Sequence, residues 1–145
     1  MAVTIPQLMK MSQTELDDLF KASPAGPIPN GEAEGTAIIA PGTELEGFAA
    51  KLIHFFAWQG KVFDAQKGEL RNKISPFGLK AIVAKVYKSA SWFDNKECIV
   101  LDYSQTSLVA RDIRDEIRQV GDGVYLGIVY VGKKKLIDFA LKFPH

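Results

Sequence analysis

The last apolar segment of the chain constrains the fold most strongly, because its residues alternate between two faces. One face carries a large apolar side chain at every second position: Ile137, Phe139, Leu141 and Phe143. The other face includes the charged residues Asp138 and Lys142. Gly132-Lys133 separates this segment from another apolar run over residues 124–131. Period-two alternation beside a short turn predicts an antiparallel β-hairpin at the end of the chain.

Similar segments occur upstream at regular spacing. Four of them are bounded by turn residues and predict strands: residues 58–64, 70–74, 79–87 and 97–103. Residues 107–120 suit either a helix or a strand, and we favour a strand from about Asp115 that turns at residues 121–123. This series predicts a mainly β fold, an antiparallel up-and-down barrel of seven or eight strands.

Two helices are predicted before the barrel, each from a capping box in which a hydroxyl oxygen and an acidic side chain satisfy free amides. Ser12 and Glu15 begin the first helix, and the second covers residues 43–56 with one apolar face. Residues 24–31 are rich in proline and glycine, so they cannot form a helix or a central strand. We expect them to form an extended strap over the barrel, either a plain connection or a lid.

These elements predict one domain over residues 1–145. Residues 1–56 would hold the helices, the strap and a short strand over residues 35–40. Residues 57–143 would form the barrel.

Composition argues against several classes of partner and location. The formal net charge is +1, so no long-range field favours nucleic acid or a membrane surface. The first ten residues do not resemble a signal peptide, and the sequence has no apolar run of roughly 18 residues that could span a membrane. Cys98 is the only cysteine, so an oxidising compartment is not indicated. We therefore expect a cytoplasmic protein, either a monomer or a homodimer.

Motifs that bind metals or nucleotides are absent from the sequence. Residues 121–127 contain three glycines, but their spacing is one residue too long for a dinucleotide fingerprint and a predicted strand follows them. Paired cysteines, a His-Glu-x-x-His motif and a phosphate-binding loop do not occur. We predict no cofactor and no metal.

Two polar clusters lie within the predicted barrel. Asp102 and Tyr103 end an apolar strand, where an acid needs a partner or water because an unpaired buried carboxylate is costly. Residues 111–118 carry charges of both signs. They suit a solvated face of ion pairs, or an inward Arg114 or Arg118 that binds Asp102 or a ligand carboxylate.

Three segments resemble the calycin superfamily: Trp58-x-Gly60-Lys61, residues 115–127 and residues 138–141. Within it, the sequence is most similar to the lipocalin-like bacterial proteins with a Gly-x-Trp-x-Gly signature, although Phe56 replaces the first glycine. The resemblance implies an up-and-down barrel that encloses an apolar ligand such as a fatty acid, a retinoid or haem. It also implies that Trp58 packs at the barrel base beneath Arg118 or Arg114. Some related barrels are enzymes.

We expect the barrel to bind an apolar small molecule, lipid-like or aromatic, with a few polar groups that fix its orientation. The predicted ligand-binding residues are Lys61, Phe63, Tyr87, Arg114, Tyr125 and Phe139, with Trp92 as a further aromatic candidate for the lining. One alternative is a small cofactor-free enzyme (an isomerase, cyclase or hydratase) with Asp102 as general base and Tyr103 as general acid. These two side chains point to opposite faces of a regular strand, so cooperation requires a bulge or a strand end. Another alternative is an interaction module.

Overall fold

The computed structural model describes residues 3–38, 61–72, 82–105 and 111–144. In this part of the chain the strands form one closed antiparallel barrel, in which neighbours in sequence pair and the first strand pairs with the last. The strands are β1 (Gly31–Ile38), β2 (Lys61–Asp64), β3 (Glu69–Asn72), β4 (Ile82–Ala90), β5 (Glu97–Asp102), β6 (Ile113–Gly121), β7 (Val124–Val131) and β8 (Lys134–Lys142). Two short helices precede them, α1 (Ile5–Met9) and α2 (Gln13–Ala22). The predicted up-and-down barrel with two N-terminal helices is confirmed.

The helices are only partly those that the sequence predicted. The hydroxyl of Ser12 accepts a hydrogen bond from the Glu15 amide at 3.1 Å, so α2 begins at the predicted capping box. The helix α1 was not predicted, and its capping box pairs Thr4 with Gln7 in place of an acidic residue. The helix predicted over residues 43–56 lies outside the described residues. Neither α1 nor α2 has the length and apolar character needed to cross a membrane.

Closure of the barrel depends on β1, which pairs with β2 on one side and β8 on the other. The barrel therefore begins at Gly31, earlier than the predicted start at residue 57. The predicted short strand over residues 35–40 overlaps β1, but the inward positions Ala33, Gly35 and Ala37 are small, so the sequence did not show that this strand belongs to the barrel. The ambiguous residues before the β6–β7 turn include the strand β6, in agreement with the preferred interpretation.

Each strand separates an inner from an outer face, and both faces bury apolar residues. The inner face forms the barrel core, which includes Leu70, Ile99, Leu101, Ile117, Val129, Phe139 and Leu141. On the outer face of β7 and β8, Leu126, Ile128 and Ala140 pack against Leu16 and Phe20 of α2. The helices therefore cover one side of the barrel, and their apolar residues are buried there.

The side chain of Arg118 joins α2 to the outer wall of the barrel. Its guanidinium donates two hydrogen bonds to the Asp94 carboxylate, at 2.6 and 2.7 Å, and lies over the ring of Phe20 at 4.4 Å. It also donates to the main-chain oxygens of Phe20, Lys96 and Glu97. The hydrogen bonds from Arg118 hold the pKa of Asp94 below its usual value. One buried cation thus fixes α2, the β4–β5 turn, β5 and β6 relative to one another.

We expect Arg118→Lys to lower the free energy of unfolding by about 3 kcal/mol, because a lysine cannot reproduce the paired bonds to Asp94 and leaves a buried carboxylate incompletely satisfied. Urea denaturation followed by circular dichroism measures this loss. Arg111→Lys is the matched control, since Arg111 is exposed, and it should change stability by less than about 0.5 kcal/mol. Equal stability of the two variants would show that the Arg118 network does not hold the fold.

Candidate functional site

One end of the barrel is filled by aromatic side chains and covered by the strap. The ring of Phe143 contacts Phe63 and Tyr125 edge to face, with centroid distances of 5.4 and 5.6 Å. The Tyr125 hydroxyl donates to the main-chain oxygen of Pro27 at 2.7 Å, and the Gln119 amide donates to strap carbonyls. We refer to this as the strap end. The described strands that flank residues 39–60, 73–81 and 106–110 meet at the opposite end.

Lys61 lies inside the barrel at the first position of β2. Its side chain is fully buried, it alternates with the inward Phe63, and it pairs with Ala33 of the inner core. Burial lowers the pKa of Lys61 to about 8, although the negative charge of Asp115 acts in the opposite direction. The interior therefore holds an amine whose charged form has lost its water.

Asp115 lies on the inner face of β6, between Ile113 and Ile117 and opposite Leu101 and Val129 on the adjacent strands. It is fully buried, and neither carboxylate oxygen has a hydrogen-bond partner in the described part of the chain. Burial raises the pKa of Asp115 to about 7, although the positive charge of Lys61 opposes this shift. The carboxylate is thus an unsatisfied acceptor within an apolar surrounding.

Several of the predicted site residues lie inside the barrel with this pair. Phe63 and Tyr125 line the strap end, and Tyr103 is fully buried in the inner core. The ring of Phe139 lies against its cross-strand partner Gly127, where an added Cβ would fall 2.3 Å from the ring. Gly127 therefore leaves the space that the far end of the Phe139 ring occupies. The structure brings these residues to one interior, and their predicted roles stay predictions.

Asp102 and Tyr87 lie on the outer face of the barrel. The neighbours of Asp102 in β5, Leu101 and Tyr103, belong to the inner core, so Asp102 points away from it. Its carboxylate accepts hydrogen bonds from the Tyr87 hydroxyl at 2.7 Å and the Ser104 hydroxyl at 2.6 Å. Partial burial raises the pKa of Asp102, but the bonds from Ser104 and Tyr87 outweigh it and the pKa lies below its usual value. Because neighbouring residues of a regular strand point to opposite faces, Asp102 and Tyr103 do not face one cavity.

Arg114 also lies on the outer face, across the ladder from Asp102. Its guanidinium binds the Glu116 carboxylate at 3.0 Å and lies over the indole of Trp92 at 4.3 Å. Trp92 is about half exposed and contacts the Tyr130 ring, so it does not line the interior. Arg114, Glu116 and Arg118 therefore form ion pairs on the outside, although Glu116 and Arg118 are buried there and not solvated. Trp58, the aromatic residue that the resemblance pairs with these arginines, lies outside the described residues.

Asp115 was not among the predicted site residues, yet the sequence carried a signal for it. Ile113, Asp115 and Ile117 share one strand face, so an acid stands alone between two large apolar residues at period two. The density of charge around it favoured a surface interpretation. Asp115 and Glu116 lie on opposite faces of β6, and only the folded barrel shows that the face with Asp115 is the inner one.

A groove on the outer surface is less suited to a specific site. It has a volume of about 500 Å³ and lies between the end of α2 and the β6–β7 turn, with Leu19, Ala22, Pro24 and Val120 among its lining residues. Its walls are mainly apolar, and no buried polar group without a partner faces it in the described residues. No group of three or more metal-ligating side chains occurs in the same described ranges.

The fold and the interior pair define a closed antiparallel β-barrel whose core, in the residues that the structure describes, holds one amine and one carboxylate among mainly apolar side chains. No family model and no curated protein matches the chain. The chain is similar in fold to a crystal structure of a protein from Thermomonospora curvata, with a TM-score of 0.62 at 17% sequence identity. That similarity covers 94% of this chain and 90% of the other, and it extends to the fold alone.

We expect the unfolding free energy of Asp115→Asn, minus that of the wild type, to increase as the pH rises from about 5 to about 7. In the unfolded chain Asp115 ionises near pH 3.8, whereas in the barrel it holds its proton to about pH 7. The folded wild type therefore binds more protons than the unfolded chain in this window, and its stability falls as the pH rises, by a total on the order of 3 kcal/mol from this group. Asparagine has no such proton.

The difference in unfolding free energy between variant and wild type, measured in urea at each pH, isolates the contribution of Asp115. Asp112→Asn is the control, because Asp112 lies in an exposed turn, and its difference from the wild type should not change with pH. If Asp115→Asn gave an equally constant difference, the carboxylate would not be buried in the way described.

Proposed function

We propose that the barrel binds a small, mainly apolar molecule whose polar group is oriented by Lys61 and Asp115. One observation carries this proposal, the full burial of Asp115 with both carboxylate oxygens lacking a partner. Buried polar groups in proteins are almost always hydrogen-bonded, and an unsatisfied one costs free energy. A bound molecule that supplies the missing partner accounts for an arrangement that folding alone disfavours.

The walls around the pair suit an apolar molecule. Leu101, Ile117 and Val129 surround Asp115, and the inward positions of β1 carry nothing larger than a methyl group. An apolar lining with a few convergent polar groups is typical of ligand sites in proteins. The interior of an eight-stranded barrel is either filled by side chains or holds one small ligand.

The strap end limits where such a molecule would lie. Phe63, Tyr125 and Phe143 fill that end with contacting rings, and the strap is fixed to it by main-chain hydrogen bonds. Lys61 and Asp115 lie on the side of these rings that faces the opposite end. We therefore place the polar group of the ligand near the middle of the barrel. The resemblance to the calycins supports the same type of binding, and membership of that superfamily is part of the proposal.

Binding of an apolar dye tests this function. We expect the protein to bind the neutral dye Nile red saturably, with one dye per chain, as measured by fluorescence titration. Ala84→Leu should weaken this binding at least about tenfold, because Ala84 is a fully buried residue of the inner core and the added carbons would occupy the interior.

Ala90→Leu is the matched control, since Ala90 is exposed at the end of the same strand. Its affinity for Nile red should equal that of the wild type. An absence of saturable binding, or equal losses in the two variants, would rule out the interior as the site. Native mass spectrometry of the purified protein offers a second measurement, the added mass of a co-purified molecule.

A second candidate function is proton transfer to and from the bound molecule. Asp115 is a better candidate for the base than Asp102, because Asp115 lies in the interior and Asp102 lies on the outer face. Burial shifts the pKa values of both groups toward neutrality, and the charge of each favours the ionised form of the other, so the pair can hold a carboxylate and an ammonium together near neutral pH. The carboxylate could take a proton from the carbon next to a carbonyl group, with the electrons moving to the carbonyl oxygen as Lys61 donates a hydrogen bond to it. If the molecule also carries a carbon–carbon double bond next to that carbon, the electrons are shared with it, and return of the proton to the far carbon of the double bond completes an isomerisation. This chemistry corresponds to the enzyme alternative with a different base.

Deuterium exchange tests proton transfer directly. With 2-octanone as the probe in deuterated water, we expect the wild type to accelerate the loss of the proton signals next to the carbonyl, measured by nuclear magnetic resonance. Asp115→Asn should abolish the acceleration and Asp102→Asn should retain it. The reverse pattern would assign the base to Asp102, and no acceleration by the wild type would exclude this second function.

A further inference from the structure

The described interior of the barrel is balanced in charge. Its fully buried inner positions carry one amine, Lys61, and one carboxylate, Asp115, and the charge of each acts on the pKa of the other. Tyr103 and Tyr125 are the other inner residues with titratable groups in the described ranges, and phenols are uncharged near neutral pH. The pair has no net charge whether both groups are ionised or the proton passes from the amine to the carboxylate.

We infer that the ligand of this barrel has an uncharged polar head group, such as an amide or an alcohol, on an apolar body. The inference rests on the proposed function and specifies the chemical class of ligand. An ionised head group would bring an unbalanced charge into a site that is fully buried and, among the described residues, otherwise mainly apolar. The transfer of an uncompensated charge into such a site is strongly unfavourable.

The pair also determines what the head group must do. When both groups are ionised, the Asp115 carboxylate can only accept hydrogen bonds and the Lys61 ammonium can only donate them. An amide or a hydroxyl both donates and accepts, so it can satisfy a free oxygen of Asp115 while accepting a hydrogen bond from Lys61. A carboxylate cannot donate to Asp115, and an alkylammonium cannot accept from Lys61.

A matched series of eight-carbon probes separates these head groups. Octanamide, octanoate and octylammonium have similar apolar bodies and differ in charge at about pH 7.5. Their affinities are measured by displacement of Nile red from the wild-type protein. We expect octanamide to bind at least about tenfold more tightly than either ion.

Variants of the pair should change this preference in opposite directions. Asp115→Asn removes the negative charge, so octanoate should gain at least about tenfold relative to octanamide. Lys61→Met removes the positive charge, so octylammonium should gain in the same way. The controls Asp112→Asn and Lys85→Met change exposed residues of the same types and should leave the order of the three probes unchanged. Thermal melting of each variant establishes that it is folded.

The outcomes separate this inference from the function on which it rests. If neither Nile red nor any of the three probes binds the wild type, the proposed function fails. If the probes bind and octanoate or octylammonium equals octanamide in the wild type, binding stands and the neutral head group is excluded. If octanamide is preferred but neither variant of the pair changes the order, the preference does not arise from Lys61 and Asp115 and the inference is overturned.

Discussion

The hydrogen bonds between β1 and β8 are the constraint on which the rest of the structure depends. They close the sheet, so every regular strand has one face inside and one face outside, without a free edge at which a strand could slip. A charged residue that falls on the inner face cannot reach water by rotating its strand. The full burial of Lys61 and Asp115, and the shift of both pKa values toward neutrality, follow from this closure.

The two faces of β6 show how closure divides residues of the same type. Glu116 points outward and is fully buried, but its carboxylate accepts hydrogen bonds from the Ser91 hydroxyl at 2.6 Å, the Trp92 amide at 2.8 Å and the Arg114 side chain. Asp115 is its neighbour, equally buried, and has no hydrogen-bond partner in the described ranges. The outer carboxylate contributes to the folded structure, whereas the inner one opposes it. Groups whose pKa is strongly shifted by burial cluster at the functional sites of proteins.

The helix α2 is held to the barrel by polar contacts at both of its ends. Near its beginning, Gln13 donates to Asp138 at 2.7 Å, and Lys135 binds both Asp17 and Asp138. Near its end, the Phe20 carbonyl accepts from Arg118 at 2.9 Å. These contacts and the outer apolar cluster give the helix a defined position on the wall of β6 to β8. The helices therefore contact only the outer face of these strands. The proposed site lies on the inner face and does not include them.

The sequence by itself determined the antiparallel barrel, the hairpins that end it and the cap of α2, because these follow from local periodicity and turn residues. It also identified Lys61, Phe63, Tyr103, Tyr125 and Phe139 as barrel residues, and the structure places them inside. It predicted a short strand over residues 35–40 but not that β1 closes the barrel, since the inward residues of β1 are small. It also did not predict that Asp102 faces outward and Asp115 inward. Periodicity shows which residues share a face, but only the pairing of distant strands decides which face is enclosed. For this reason the choice of Asp115 over Asp102 as the candidate acid depends on the tertiary structure.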